Sequence, residues 1–346
     1  MTYAYRPYYL KISKYHTGHC KRFFLFFALL FFIHSTTFDE ERIFFAAHSE
    51  AIELNRTKYI PISEIAKRYG LKSTKNVNGK QCVCGKHARL SFKKNSRSIL
   101  INNTKVWLGF PIVLNSGKLF VAKRDCMKTI YPILCPCTNI ERKKNLRVAI
   151  DAGHGGKDFG AINKFLSMNE KTLALDIAFR LGRELGKNGI DVVYTRTKDS
   201  YTPLTNRTAK ANKLEADLFV SIHCNAARSS VSGIETFALT PRWTPSTSAS
   251  IQTPTDSVAY EGNRNDGLNQ LLAYRIQREL TTNTGAVDRG IKCARFAVLR
   301  NSKMPSVLVE CGFITNEREA TKLGSSRYRQ KLALSIANGI YRYRNS

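Results

Sequence analysis

The apolar positions of the chain follow three successive rhythms. Phe23–Ile33 (FFLFFALLFFI) is an unbroken apolar run directly after Lys21 and Arg22. It has the length of a signal-peptide core and falls short of the roughly 20 residues a membrane span needs. A leader over residues 1–36 is therefore predicted, either cleaved or kept as an anchor, with Ile33-His34-Ser35 or Ala47-His48-Ser49 as cleavage site, and export follows from it. From residue 50 to 138 the pattern is short and β-like. Ile62, Ile65 and Ala66 stand at helical spacing, and Ala88–Phe92, Ser98–Ile101, Lys105–Leu108 and Leu119–Val121 read as strands. Asn102-Asn103 and Asn115-Ser116-Gly117 supply the turns. Residues 139–146, which contain the charged run Glu141-Arg142-Lys143-Lys144-Asn145, read as a linker.

Beyond residue 147 strands and helices alternate. Arg147–Asp151, Asp191–Arg196, Leu218–His223, Gly233–Leu239, Phe296–Arg300 and Ser306–Glu310 are predicted strands. Glu170–Leu185, Leu204–Ala216, Leu268–Leu280 and Arg327–Tyr343 are predicted helices. That order describes an α/β domain, whose ligand sites form at the C-terminal ends of strands. Pro241–Asn265 is a long polar stretch without a helical stripe and reads as a surface loop.

Charge changes this picture. The chain has 55 Lys+Arg against 26 Asp+Glu, a net +29. Residues 1–145 hold 26 basic and 8 acidic side chains, so +18, and residues 146–346 hold 29 and 18, so +11. A surface of this kind favours a polyanion. Nucleic acid is opposed by the export signal and by the lack of a recognisable binding motif, so the charge is read as holding the protein on an anionic envelope. Nine cysteines, including the pairs Cys82/Cys84 and Cys135/Cys137, fit disulfides in an exported chain better than a structural metal.

The candidate chemistry lies just past the predicted strands. His154 sits in Asp151-Ala152-Gly153-His154-Gly155-Gly156, after the first strand of the α/β domain, and His223 ends another. They are the two histidines of the region from residue 147 on, and Glu170 opens the helix that follows the first loop. Two histidines and one carboxylate form a known catalytic zinc set that leaves a fourth position for water. Glu310 ends the apolar strand Ser306–Val309 and is the candidate proton carrier, because a carboxylate after a buried strand is costly without a partner or a task. Asp151 and Asp158 are candidate acceptors for the histidines or loop caps, and Asn225 and Arg289 (in a loop before a strand) are candidate substrate contacts. Cys224 and Cys311 flank His223 and Glu310 and, on strands, point the other way, as packing residues.

Six stretches carry a resemblance: VAIDAGHGGKDFGA (148–161), NEKTLALDIAFRL (169–181), DVVYTRTKD (191–199), NRTAKANKLEADLFVSIHCNA (206–226), RGIKCARFAVLR (289–300) and PSVLVECGFITNEREA (305–320). Residues 147–346 resemble the zinc-dependent N-acetylmuramoyl-L-alanine amidases of the type-3 family. The resemblance implies a mixed sheet with helices on both faces, one zinc ion on His154, Glu170 and His223, and Glu310 as catalytic carboxylate. It also implies hydrolysis of the bond between N-acetylmuramic acid and L-alanine in peptidoglycan, in wall remodelling or daughter-cell separation, in the periplasm or at the cell wall, with an activator or division protein as further partner. Members with a helical plug over the metal differ from this chain, whose 241–265 segment is polar. A peptidase acting on the same stem peptides and a non-catalytic wall-binding protein stay open as alternatives. Residues 50–138 resemble the small β-rich module first described at the N-terminus of copper amine oxidases, which recurs in bacterial wall proteins. With His87 as its one histidine, this module is expected to position the enzyme and to take no part in the chemistry.

Overall fold

The computed structural model describes residues 50–74, 76–136, 145–249 and 251–346. The expected leader lies outside the described residues, as does most of the expected linker. Residues 50–346 form one compact unit.

Its first part contains β1 (Ile52–Leu54), β2 (Thr57–Pro61), α1 (Ile62–Arg68), β3 (Lys72–Ser73), β4 (Lys80–Cys84), β5 (Arg89–Lys93), β6 (Ser98–Ile101), β7 (Thr104–Trp107), β8 (Val113–Asn115) and β9 (Lys118–Ala122). Three short helical pieces, Lys123–Asp125, Cys126–Ile130 and Tyr131–Leu134, follow. The second part runs through β10 (Arg147–Ala152), β11 (Ile162–Asn163), β12 (Met168–Asn169), α2 (Glu170–Gly186), β13 (Asp191–Tyr194), α3 (Leu204–Lys213), β14 (Leu218–Asn225) and β15 (Ile234–Leu239). It ends with α4 (Asp266–Thr284), β16 (Asp288–Ala294), α5 (Ala297–Arg300), β17 (Ser306–Phe313), α6 (Glu317–Gly324) and α7 (Ser326–Arg344).

One sheet of eleven strands runs through both parts in the order β13-β10-β14-β17-β15-β16-β7-β6-β5-β4-β3. The block β13-β10-β14-β17 is parallel, β15 runs antiparallel to β17, and β16 is parallel to β15. The strands of the parallel block are near-continuous runs of buried residues, as a sheet covered on both faces requires. The helices α2, α4 and α7 cover one face. On the other, Phe219 and Leu308 of the sheet meet Ala211 of α3 and Val298 and Leu299 of α5.

The two parts join where β7 adds to β16, with Ile291 paired to Val106 and both fully buried. Trp107 Nε1 donates to the Arg289 carbonyl at 2.9 Å, and the Lys105 N–H donates to Asp288 Oδ2 at 2.7 Å. The polar 241–265 segment supplies a strap across the same seam. The Arg97 guanidinium donates to the carbonyls of Ser246 and Ala249, and the Thr247 N–H donates to the Cys293 carbonyl. A second, four-stranded sheet, β1-β2-β9-β8, packs Tyr59, Phe110, Phe120 and Ala122 together.

Three expectations are corrected. Phe296–Arg300 is not a strand: Phe296 caps the short helix α5 and stacks on Phe237, ring centroids 5.1 Å apart. A run of four apolar residues, Phe296–Leu299, carries too little periodicity to tell the two apart. Arg289 lies within strand β16, not in a loop before one; Gly290 beside it had masked the strand pattern. Seven cysteines, Cys82, Cys84, Cys126, Cys135, Cys224, Cys293 and Cys311, are free thiols.

Because β16 and β7 share one sheet, the two parts should unfold together. Ile291→Ala is expected to cost about 2–5 kcal/mol and to shift a single transition in urea, followed by fluorescence and circular dichroism. Two separate transitions would show that residues 50–136 are an independent domain.

Candidate active site

Two strands and one loop bring the candidate residues together. His223 on β14 is the direct cross-strand partner of Glu310 on β17, so the parallel register sets both side chains on one face. His154 comes from the loop after β10, where it holds φ +59°. A non-glycine residue in the left-handed region is unfavourable and persists only where its surroundings impose it. Here three buried cations impose it by gripping the loop's carbonyls. Arg207 of α3 donates to Ala152 O at 2.7 Å and His154 O at 2.8 Å; Arg196 donates to Ala152 O at 2.9 Å and Gly153 O at 2.8 Å. Lys171 donates to Gly156 O at 2.8 Å and to Asp199. Two glycines make room: a Cβ on Gly153 would fall on the His223 ring, and one on Gly160 would fall on the His154 ring and Glu170 Oε2.

Glu170 opens α2 and is buried, with Oε1 3.1 Å from His154 Nε2 and 2.8 Å from His223 Nδ1. Its other oxygen accepts the Ala161 N–H at 2.8 Å. The two imidazoles are edge to face, centroids 5.0 Å apart, and the donor atoms of all three residues lie within 4.8 Å of one another. Burial opposes charge on Glu170, but hydrogen bonds from the two histidines outweigh it and hold its carboxyl well below the usual carboxylate range. Burial likewise works against protonation of His154, yet Glu170 and Asp158 hold its pKa above the ordinary imidazole value. Asp158 Oδ2 is 2.9 Å from His154 Nδ1, as expected of a residue that fixes ring orientation. Asp151 touches neither histidine. It is fully buried and binds Thr195, Ser221 and Arg207 instead, so its work is beneath the loop.

Glu310 opens into the same cavity of about 430 Å³, lined also by Leu204, Asn225, Phe296, Val298 and Leu308. Its Oε2 is buried without a hydrogen-bond partner. Burial, then the neighbouring Glu170 and Glu235, push its pKa well above the ordinary range, and Lys292 works in the opposite direction. Asn225 lines this cavity and donates to Glu235 Oε1 at 2.9 Å. Arg289 does not line it: its Nε donates to Glu235 Oε2 at 2.7 Å and its guanidinium lies over Phe313. Glu235 and Lys292, joined at 2.6 Å, escaped the sequence reading, as did Arg207, Arg196 and Lys171. The Cys224 and Cys311 side chains are fully buried on the opposite side of their strands.

Arg207→Met would leave Asp151 buried without its 2.9 Å ion partner. The variant is expected to lose about 3–5 kcal/mol of stability in urea unfolding and to release the His154 loop. A loss below 1 kcal/mol would show that Asp151 and Arg207 are not a supporting pair.

The Amidase_3 family profile, described as N-acetylmuramoyl-L-alanine amidase, matches residues 148–342. The chain is 36% identical over 245 residues to the amidase AmiA of Salmonella typhimurium, covering 64% of this chain and 84% of that one. An uncharacterised Bacillus subtilis protein, YqiI, is 39% identical over 61% of this chain and 91% of its own length. The amidase LytC of the same organism is also 39% identical, with only 35% of its length covered. Among solved structures, an N-acetylmuramoyl-L-alanine amidase from Clostridium difficile 630 superposes with a TM-score of 0.50 at 36% identity, over 59% of this chain and 99% of that one. With the family profile spanning more than half of its residues, the chain belongs to the N-acetylmuramoyl-L-alanine amidase family and is a peptidoglycan amidase.

Proposed function

We propose that His154, Glu170 and His223 hold one catalytic zinc ion, and that Glu310 is the general base and acid in hydrolysis of the N-acetylmuramoyl–L-alanine amide. The observation that carries this reading is the convergence of two imidazoles and one carboxylate beside an unpartnered, buried Glu310 oxygen. This donor set fits zinc, with an open side toward the cavity. A bound zinc ion supplies Lewis acidity, polarising a carbonyl and lowering the pKa of the water it holds to about 7.

The residues of the chain do the rest. Asp158 Oδ2 lies 2.9 Å from Nδ1 of His154, while Nε2 faces Glu170 and the centre of the cluster. Glu310 Oε2 takes a proton from the attacking water and returns it to the departing nitrogen of L-alanine. A positive charge at the three ligands favours the ionised form of Glu310, against the burial that raises its pKa. Phe296, Val298 and Leu308 give the cavity an apolar wall that limits competing water. Asn225, held by Glu235, is proposed to meet the substrate directly. Arg289 is proposed to serve substrate through the same carboxylate clamp. The basic-then-apolar run at Lys21–Ile33 supports export to the periplasm or cell wall. No helix among the described residues is long and apolar enough to cross a membrane.

Elemental analysis and muropeptide digestion test this together. Glu310→Gln is expected to keep one zinc per chain and to lose about 10²–10⁴-fold in peptide release. His223→Ala is expected to lose both metal and activity. Full activity of Glu310→Gln would remove it as the base, and release of free D-alanine in place of stem peptide would make the enzyme a carboxypeptidase.

A further inference from the structure

The sheet that presents Glu310 does not stop at the catalytic part, and the parity of its strands can be followed across the seam. Glu310 pairs with Glu235, and Phe237 two residues on pairs with Lys292, so these side chains share one face. The 2.6 Å contact of Lys292 with Glu235 fits that placement. Across the seam Ile291 pairs with Val106, both on the buried side, which turns Lys105 and Trp107 to the Glu310 face. The register continues through Lys105 with Leu100, Leu100 with Ser91, and the β5–β4 pairs Lys93 with Lys80 and Arg89 with Cys84. The opposite parity, Val83, Leu90, Phe92, Ile99 and Ile101, is buried. Arg89, Lys93 and Lys80 are exposed and Leu100 is 40% exposed.

This face is cationic without compensation. Residues 70–118 contain ten Lys and Arg and no Asp or Glu; Lys80, Arg89, Lys93 and Lys105 among them lie on this face, whereas Lys118 lies in the other sheet and pairs with Glu50. No ion pair engages Lys80, Arg89 or Lys93 among the described residues. From β17 to β4 there are six strand steps, roughly 30 Å at the usual inter-strand spacing, which is longer than one disaccharide repeat.

We propose that this outer face of β7-β6-β5-β4 is an extended substrate platform, which docks the uncut continuation of the peptidoglycan strand whose amide lies at Glu310. The carboxylates of neighbouring stem peptides would meet Lys80, Arg89, Lys93 and Lys105, and Trp107 would offer its ring edge to the sugars near the seam. The charge complementarity and the continuity with the catalytic face carry the argument. The proposal rests on the reading of the Glu310 cavity as the place of cleavage. It differs from a tethered wall-binding module in one physical respect: the platform is fixed to the active site by shared hydrogen bonding, so it sets how the polymer approaches as well as how tightly it is held.

The test uses the full chain with the triple substitution Lys80→Glu, Arg89→Glu, Lys93→Glu. A control of equal charge change, Lys58→Glu, Lys67→Glu, Lys331→Glu, sits off this face. Binding is measured by co-sedimentation with purified sacculi stripped of attached phosphate polymers, in the Glu310→Gln background so that the polymer is not consumed. Turnover is measured on the same sacculi and on a short soluble muropeptide. The expected result is about a ten-fold loss of sacculus binding and of kcat/KM on sacculi, with muropeptide turnover within about two-fold of the parent and the control unchanged. Equal loss on both substrates, no loss on sacculi, or the same loss in the control would overturn the platform. So would a loss seen only on sacculi that keep their phosphate polymers, since the ligand would then be that polymer. If the parent cuts neither substrate while the triple variant still loses sacculus binding, the platform stands and the reading of the Glu310 cavity falls.

Discussion

Four carboxylates, Asp151 on β10, Glu310 on β17, Glu235 on β15 and Glu170 at the start of α2, stand in or next to the site, and the rest of it follows from how their charge is compensated. Asp151 has the buried Arg207, Glu170 has two imidazoles, and Glu235 has Arg289, Lys292 and Asn225. Glu310 alone has no direct partner, and burial together with its acidic neighbours pushes its pKa upward. Burying a carboxylate without compensation is among the most costly things a fold does. Asp151 and Glu235, each held by cations of the chain, serve as framework, and in the proposed reading Glu170 and Glu310 carry the chemistry. In the zinc-bound form proposed above, a cation held by His154, Glu170 and His223 would offset the charge of an ionised Glu310.

The same logic explains what sequence could and could not reveal. His154, Glu170, His223 and Glu310 were legible because each stands at the end of a strand or the start of a helix, where its residue type is chemically conspicuous. Arg207 was not. On α3 it reads as one more basic residue of a polar helix, and its value comes from the carbonyls of Ala152 and His154, more than fifty residues away in the chain. Arg196 and Glu235 were hidden for the same reason. Strand β16 was missed because Gly290 interrupts its pattern, and with it went the correct setting of Arg289.

Of the nine described strands of the N-terminal part, β5, β6, β7 and β9 were legible; β1 to β4 and β8 were not, and neither was the attachment of this part to the rest. The strand ladder across the seam is a single buried pair, Val106 with Ile291, reinforced by hydrogen bonds between residues about 180 positions apart and by α4 packed on the helical pieces Cys126–Ile130 and Tyr131–Leu134, and no local pattern encodes such contacts. The polar 241–265 segment looked like a loop without a task because it has no apolar face. Its task is polar: its backbone carbonyls receive Arg97 and its Thr247 exchanges two hydrogen bonds with Cys293 near the end of β16.

The free thiols have a chemical consequence of their own. Oxidants attack the thiolate, so a cysteine that keeps its proton is slow to react. Burial pushes the thiols of Cys126 and Cys293 up to about 12 and raises those of Cys224 and Cys311 as well. Cys224 and Cys311 stand directly behind His223 and Glu310, where an added oxygen would break the packing of the strands that aim them. The fold shields these sulfurs by withholding both solvent and charge, and an amidase built this way can keep reduced cysteines next to its reactive centre in surroundings that would oxidise an exposed thiol.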